Sequence, residues 1–224
     1  MSDVLQNGKS LRIKRVHSPE LRDEVYCLRY RAYRKEDAID PNEKESFEDL
    51  YDHQPNHILW ALTSEERVIG SLRNTWFDPD EPHKIPEMQA YSDAISSAIP
   101  PDARICSGNR LVTEPDLASV SSRLVLILLR HNMVVARKKA DWAIAAARTN
   151  HLAFYRRVCH LEKVSEGRTY PGLRCPMHLM ACDFHKNISE VIERTPLLKP
   201  RGYEKVFLDP NYQDVWEIGL PVEA

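Results

Sequence analysis

The run WAIAAA at residues 142–147 constrains this chain more than any other segment. Six consecutive apolar residues leave no face for water. A strand of that kind belongs in the middle of a sheet covered on both sides. The run is far too short for a bilayer-crossing helix, which needs roughly 20 apolar residues. The same holds for LVLILL at 124–129. DWAIAAART (141–149) therefore reads as a central strand, and the segment from Asn150 to about Val158 as the helix that follows it.

The other elements arrange themselves around that strand. SLRIKRVH (10–17) alternates imperfectly, as a short edge strand does. Ser18 and Pro19 mark a helix start, a capping hydroxyl followed by a proline at the first helical position. Leu21, Val25, Leu28 and Ala32 continue it at helical spacing. Residues 36–56 form a long acidic loop, a length that usually carries function. Residues 57–63 and 67–77 predict a hairpin. A helix is expected at 86–98 and a strand at 103–114, with Gly108 signalling a bulge or a close backbone approach. Val120, Leu124, Ile127, Leu128, His131 and Val135 share one face of a long helix closed by Arg137, Lys138 and Lys139. Weaker strands are expected at 161–165 and 177–184, and the tail from Ile188 reads as irregular. Strands alternating with helices in the second half require a crossover and so a parallel pair. The fold class is mixed α/β.

Composition narrows the function classes. A net charge of −2 and a pI near 6.5 supply no field that would draw the chain to nucleic acid or anionic lipid. The N-terminus shows no secretory pattern, so a cytoplasmic location is expected. The five cysteines then read as free thiols. Cys175, His178, Cys182 and His185 form the one cluster resembling metal ligands. On a strand, Cys175 would face away from His178 and Cys182, so no metal is expected. There is no Walker loop, GxGxxG or GxSxG.

Three constellations could carry chemistry. Ser119, Ser121, Ser122 and Arg123 surround a helix N-terminus, where unpaired amides and the helix dipole favour phosphate; plain capping accounts for the serines equally well. Tyr155 sits early in the helix after the central strand, at the sheet edge where open α/β sheets bind ligands. A phenol with a pKa of about 10 can protonate a departing thiolate of about 8.5. The third set gathers Arg29, Arg31, Arg34, Asp49, Asp52 and Arg73, which a solvated surface would also explain.

DWAIAAARTNHLAFYRRV resembles the closing half of a GNAT acyltransferase, a central twisted mixed sheet flanked by helices. LRYRAYRKEDAI, FEDLYDHQPNHILWAL, VIGSLRNTWF and SGNRLVTEPD resemble two branches of that superfamily, the acyl-homoserine lactone synthases and the FeeM-like N-acyl amino acid synthases. The resemblance covers residues 10–185. It implies that the strands at 105–114 and 141–149 splay to admit a pantetheine arm, that Tyr155 protonates the leaving thiolate, and that Leu111, Val112, Thr113 and Asn150 line the donor site with the serines and Arg123. Arg29, Tyr33, Asp49, Asp52 and Arg73 fall at the branch's substrate-binding positions, and Arg110 matches its Glu-x-x-Arg; Trp76, with Tyr33, Trp60 and Phe77, would shape an acyl-chain pocket. Ser107 stands at the catalytic position where that motif has Glu, and its hydroxyl would position a water there. TEPDLASVSSR replaces the usual phosphate loop, and the lactone synthases' tryptophan is missing from 34–40, so the chain leans to the acyl amino acid branch.

The reading that follows is an N-acyltransferase working by direct aminolysis, with residues 1–187 as the catalytic domain and 188–224 as an extension packed on it. Its co-substrate would be an acyl-phosphopantetheine thioester on acyl carrier protein or CoA, with no tightly bound cofactor. Arg29 and Arg73 would hold a substrate carboxylate, and an amide near Val112 would stabilise the oxyanion. With Ser107 in place of a carboxylate, Glu114, Asp116 or a backbone carbonyl would accept the amine's proton. Arg123, Arg130, Arg137, Lys138, Lys139, Arg156 and Arg157 are candidates for docking an acidic carrier. A homodimer is left open. The alternatives are a short-chain CoA-dependent acetyltransferase and a non-catalytic carrier-binding module.

Overall fold

Two of the described helices begin where the sequence signals a start. In the computed structural model, which describes residues 11–65, 67–119 and 121–184 together with the backbone of 206–208, the Oγ of Ser18 accepts from the N–H of Leu21 at 3.2 Å and opens α1 (Pro19–Lys35). Pro86 opens α2 (Pro86–Ala98), which kinks at Tyr91. The crossover helix α3 spans Ser121–Lys139 and α4 spans Leu152–Cys159.

The strands are β1 (Leu11–Arg15), β2 (His57–Ser64), β3 (Arg67–Phe77), β4 (Ile105–Thr113), β5 (Trp142–Ala147), β6 (Glu162–Lys163), β7 (His178–Asp183) and β8 (Val206–Leu208). They form one sheet in the order β6-β7-β5-β4-β3-β2-β1-β8. The expected parallel pair is β4 with β5, joined through α3. The tail departs from its expected irregularity, because Val206–Leu208 pairs in parallel with β1. The rest of the tail, like Val120 and His185, lies outside the described residues.

Strand alternation divides the core into two layers. Trp60, Leu62 and Leu72 pack with Leu124 and Leu128 of α3, and Ala143, Ala145 and Met180 pack with α3 and α4. On the opposite face, Leu59, Ala61 and Val112 pack on Val25 and Leu28 of α1, while Ile105, Ile144 and Leu179 pack on Tyr91 and Ile95 of α2. β5 is thus covered on both sides, as its apolar run demanded. Between the α1 and α2 clusters the same face turns polar, with Arg73, Thr75, Ser107 and Asn109 buried. The site is built there and at the adjoining gap between β4 and β5.

Candidate active site

The β4–β5 ladder stops early. It pairs Ile105–Ser107 with Trp142–Ile144 and no further, although β4 runs to Thr113 and β5 to Ala147. The strands part beyond Ser107, and a cleft of about 580 Å³ opens between them. One wall is β4 from Gly108 to Thr113, and the other is Ala146, Ala147, Phe154 and Tyr155; Tyr33, Ser121, Ser122 and Tyr170 also line the cleft.

A bulge shapes the β4 wall. Ser71 opposes Val112 and Arg73 opposes Asn109, so Arg110 and Leu111 together face Leu72. Arg110 takes the left-handed conformation, with φ 54°, a strained state for a non-glycine residue. Gly108 is not the left-handed residue; it allows a close approach, since a Cβ there would lie 2.8 Å from the side-chain amide of Asn132. The N–H of Glu114 donates to the carbonyl of Ile69 at 2.9 Å. By the two-residue alternation of an antiparallel ladder, the Val112 N–H also faces β3 and the Thr113 N–H faces the opening. By that alternation the amide near Val112 that turns to the cleft is the one of Thr113.

The long loop delivers two carboxylates. Asp49 and Asp52 form a reciprocal capping box around the one-turn helix Leu50–His53, Asp49 accepting from the Tyr51 N–H and Asp52 from the Asp49 N–H. That turn fixes both side chains toward the sheet. Arg29 donates to both oxygens of Asp52 at 3.0 and 2.8 Å. Arg73 reaches Asp49 at 2.6 Å and Asp52 at 2.9 Å, and its Nε donates to Asn109 at 2.7 Å. Arg110 donates to Asp49 at 2.9 and 2.6 Å and packs its guanidinium over Phe47 and Tyr33. Burial works to raise the pKa of both aspartates, but the facing arginines hold each below the ordinary range. Three guanidinium groups against two carboxylates leave the cluster cationic.

The sequence candidates divide clearly. Tyr155, Arg110, Tyr33, Leu111, Val112, Thr113, Ser121 and Ser122 line the cleft. Ser107 lies one residue beyond its end, fully buried, accepting from the side chain of Asn109 at 2.9 Å. Arg29 and Arg73 are fully buried and absent from the cleft lining; Arg73 is held by Asp49 and Asp52, while Arg29 pairs with Asp52 through Nη1 and keeps its Nε and Nη2 without a hydrogen-bond partner among the described residues. Trp76, three residues from Arg73 on one strand, points to the opposite face and packs on the α3 side. Ser119 and Asn150 are exposed and Arg123 is half-buried, all three outside the cleft lining. Among the docking candidates, Arg156 and Arg157 are exposed, and the side chains of Arg137 and Lys138 lie outside the described residues.

Of the proposed proton acceptors, Glu114 lines the cleft but is bound by Arg31 at 2.7 Å and Arg67 at 3.2 Å. Burial opposes its charge, yet those arginines lower its pKa, which makes it a poor base. Burial pushes the Tyr155 hydroxyl the other way, well above the usual phenol range, so it stays protonated. His178, from the metal-like cluster, hydrogen-bonds Thr149 at 2.9 Å, and the described residues contain no group of three or more metal-ligating side chains.

Sequence reasoning missed Tyr170, Phe154, His151, Arg148 and Glu87. Arg148 pairs with Glu36 at 2.8 Å, and both line the cleft. Tyr170 donates to Glu87 at 2.9 Å. Only His151, Phe154 and Arg148 had a signal, their closeness to Tyr155 along the chain.

A parallel pair that splays over a pocket, with a bulged strand on one side and a helix-borne tyrosine on the other, defines a GNAT-type acyltransferase fold. The family described as N-acyl amino acid synthase FeeM matches residues 24–183, well over half of the chain, and the chain belongs to it. It is an N-acyltransferase. The solved structure of FeeM, an N-acyl amino acid synthase from uncultured soil microbes, is 12% identical, with a TM-score of 0.65 over 84% of this chain and 96% of that one. BjaI, a CoA-dependent acyl-homoserine lactone synthase solved with SAM and isopentyl-CoA, gives 13%, 0.60, 88% and 92%. The acyl-homoserine lactone synthase LasI gives 15%, 0.55, 76% and 88%. No curated protein sequence matches the chain. No helix among the described residues is long and apolar enough to cross a membrane.

Proposed function

We propose that this enzyme moves an acyl group from a phosphopantetheine thioester to the α-amine of an amino acid, with Tyr155 protonating the departing thiolate. The observation that carries the reading is the splay of β4 from β5, which places the Thr113 amide and Tyr155 on opposite walls of one cleft. The thioester lies between them. Its carbonyl oxygen takes the Thr113 N–H as charge develops. The amine nitrogen bonds the carbonyl carbon, the C–S bond breaks, and the sulfur takes the Tyr155 proton. The proton lost by the new amide nitrogen restores Tyr155.

Arg110 takes over the role first assigned to Arg29 and Arg73. It lines the cleft and spends Nε and Nη2 on Asp49, leaving Nη1 without a hydrogen-bond partner among the described residues. A substrate carboxylate suits that nitrogen and the net positive cluster behind it. Leu111, Val125, Phe154, Leu173 and Met177 give the cleft apolar lining suited to an alkyl chain. Thiol release tests the donor: acyl carrier protein and CoA thioesters of short and long chains are offered with each amino acid. Release that depends on the amino acid and favours long chains supports the reading. Preference for acetyl-CoA replaces it with the short-chain acetyltransferase.

A further inference from the structure

We infer that Glu87, acting through Tyr170, accepts the proton that the amine must lose before it attacks. The inference rests on the acyl-transfer reading above and names the acceptor that reading lacks. Amino acids carry an ammonium at neutral pH, which has no lone pair to offer. The carboxylates lining or adjoining the cleft network are otherwise committed: Asp49 and Asp52 to three arginines, Glu114 to two, and the solvent-exposed Glu36 to Arg148.

Glu87 differs in every respect. It is fully buried in the first turn of α2, with Oε1 accepting from the Tyr170 hydroxyl and Oε2 without a partner. Tyr170 lines the cleft, so one hydrogen bond connects the substrate space to a carboxyl with spare acceptor capacity. The groups facing Glu87 are Ser107 and Cys106 of β4, Arg73 of β3, Tyr51 of the capped turn, Tyr170, and Tyr91 of its own helix. Burial raises its pKa, against the lowering by the neighbouring Ser107 hydroxyl, its own backbone amide, Tyr170 and Arg73. A carboxylate tuned upward holds a proton more readily, as an acceptor must.

The transfer balances. An ammonium N–H bond breaks as its proton passes to the Tyr170 oxygen, and the Tyr170 O–H proton passes to Glu87 Oε1. The products are a neutral amine, an intact phenol and a neutral carboxyl, which later returns its proton to solvent. Tyr170 is the catalytic residue of the pair, and Glu87 is its positioning residue and proton store.

The test follows amine-dependent thiol release against pH for wild type, Glu87→Gln and Tyr170→Phe, with thermal unfolding to show that each variant folds. Near neutral pH both variants are expected to lose about 100-fold in kcat with KM little changed. The loss should vanish at pH values where the amine is already free. An equal loss at every pH, or none, overturns the inference. Should wild type release no thiol, the acyl-transfer reading fails instead, and infrared pH titration then decides on Glu87. A carbonyl band that Glu87→Gln removes, that shifts in Tyr170→Phe and that titrates above the ordinary glutamate range supports the pair; its absence overturns it.

Discussion

Asn109 and Arg110 are neighbours on one strand, yet both side chains work on the same face of the sheet. Asn109 accepts from Arg73 at 2.7 Å, and Arg110 donates to Asp49 at 2.6 Å. Consecutive strand residues normally point to opposite faces. The bulge and the positive φ of Arg110 remove that alternation for one step. The strained residue thereby joins the ionic cluster to the cleft wall.

The cluster should tolerate the loss of a carboxylate poorly. Asp52→Asn leaves the fully buried Arg29 without the carboxylate that pairs it, and Arg73 with Asp49 alone. Breaking a buried pair from one side costs about 3–5 kcal/mol. Urea unfolding should show that loss; one below about 1 kcal/mol would mean that the cluster is solvated like a surface pair.

Acid should act through the same aspartates. Their folded pKa values lie below the unfolded value of about 3.9. Their stabilisation is therefore complete above that value and is lost as pH falls through the folded values. Unfolding free energy should drop steeply below about pH 4, and Asp49→Asn should flatten the drop. An unchanged slope in that variant contradicts the assignment.

Glu87 carries the opposite sign. A raised folded pKa means the native state binds more protons than the unfolded chain above about pH 4.3, so its contribution falls as pH rises toward the folded value. Glu87→Gln should therefore gain stability relative to wild type between acid and neutral pH. A difference that does not vary with pH would show that Glu87 does not titrate in that window.

Gly108 is required for space. A methyl group there meets Asn132, which accepts from Asn74 at 2.7 Å in the buried amide chain beneath β4. Gly108→Ala should cost about 1–3 kcal/mol by overpacking, read as a lowered melting temperature. A melting point equal to wild type would show that Asn132 moves aside freely.

Arg110→Lys separates charge from geometry. A lysine keeps the cation and loses the planar fork. KM for the amino acid should rise more than tenfold, the equivalent of a lost charged hydrogen bond, while a simple amine lacking the carboxylate should react as it does with wild type. An equal effect on both acceptors would remove Arg110 from carboxylate binding.

Much of this fold is written locally. Ser18-Pro19 and Pro86 fix two helix starts, and the apolar run of β5 fixes a central, doubly covered strand. Strand parity also separates Trp76 from Arg73, an odd step apart, and would have excluded Trp76 from the charged face. Other features depend on contacts between distant segments. The left-handed residue of the bulge is Arg110, a type that gives no local sign of it, while nearby Gly108 serves a helix on the far side of the sheet. Glu87 looks like any acidic residue in a first helical turn; its role appears only when α2 crosses β4 beside Tyr170, 83 residues later in the chain. The three-residue strand Val206–Leu208 is too short to carry a period.

The central claim is that acyl transfer to an amine occurs between Thr113 and Tyr155. It is tested most directly by mass spectrometry of the product formed from a long-chain acyl thioester and an amino acid, with wild type and Tyr155→Phe side by side. The account predicts an N-acyl amino acid from wild type and about 100-fold less in the variant, with the substrates still bound. Equal product from both would remove Tyr155 from the chemistry, and free fatty acid in place of the amide would contradict direct aminolysis.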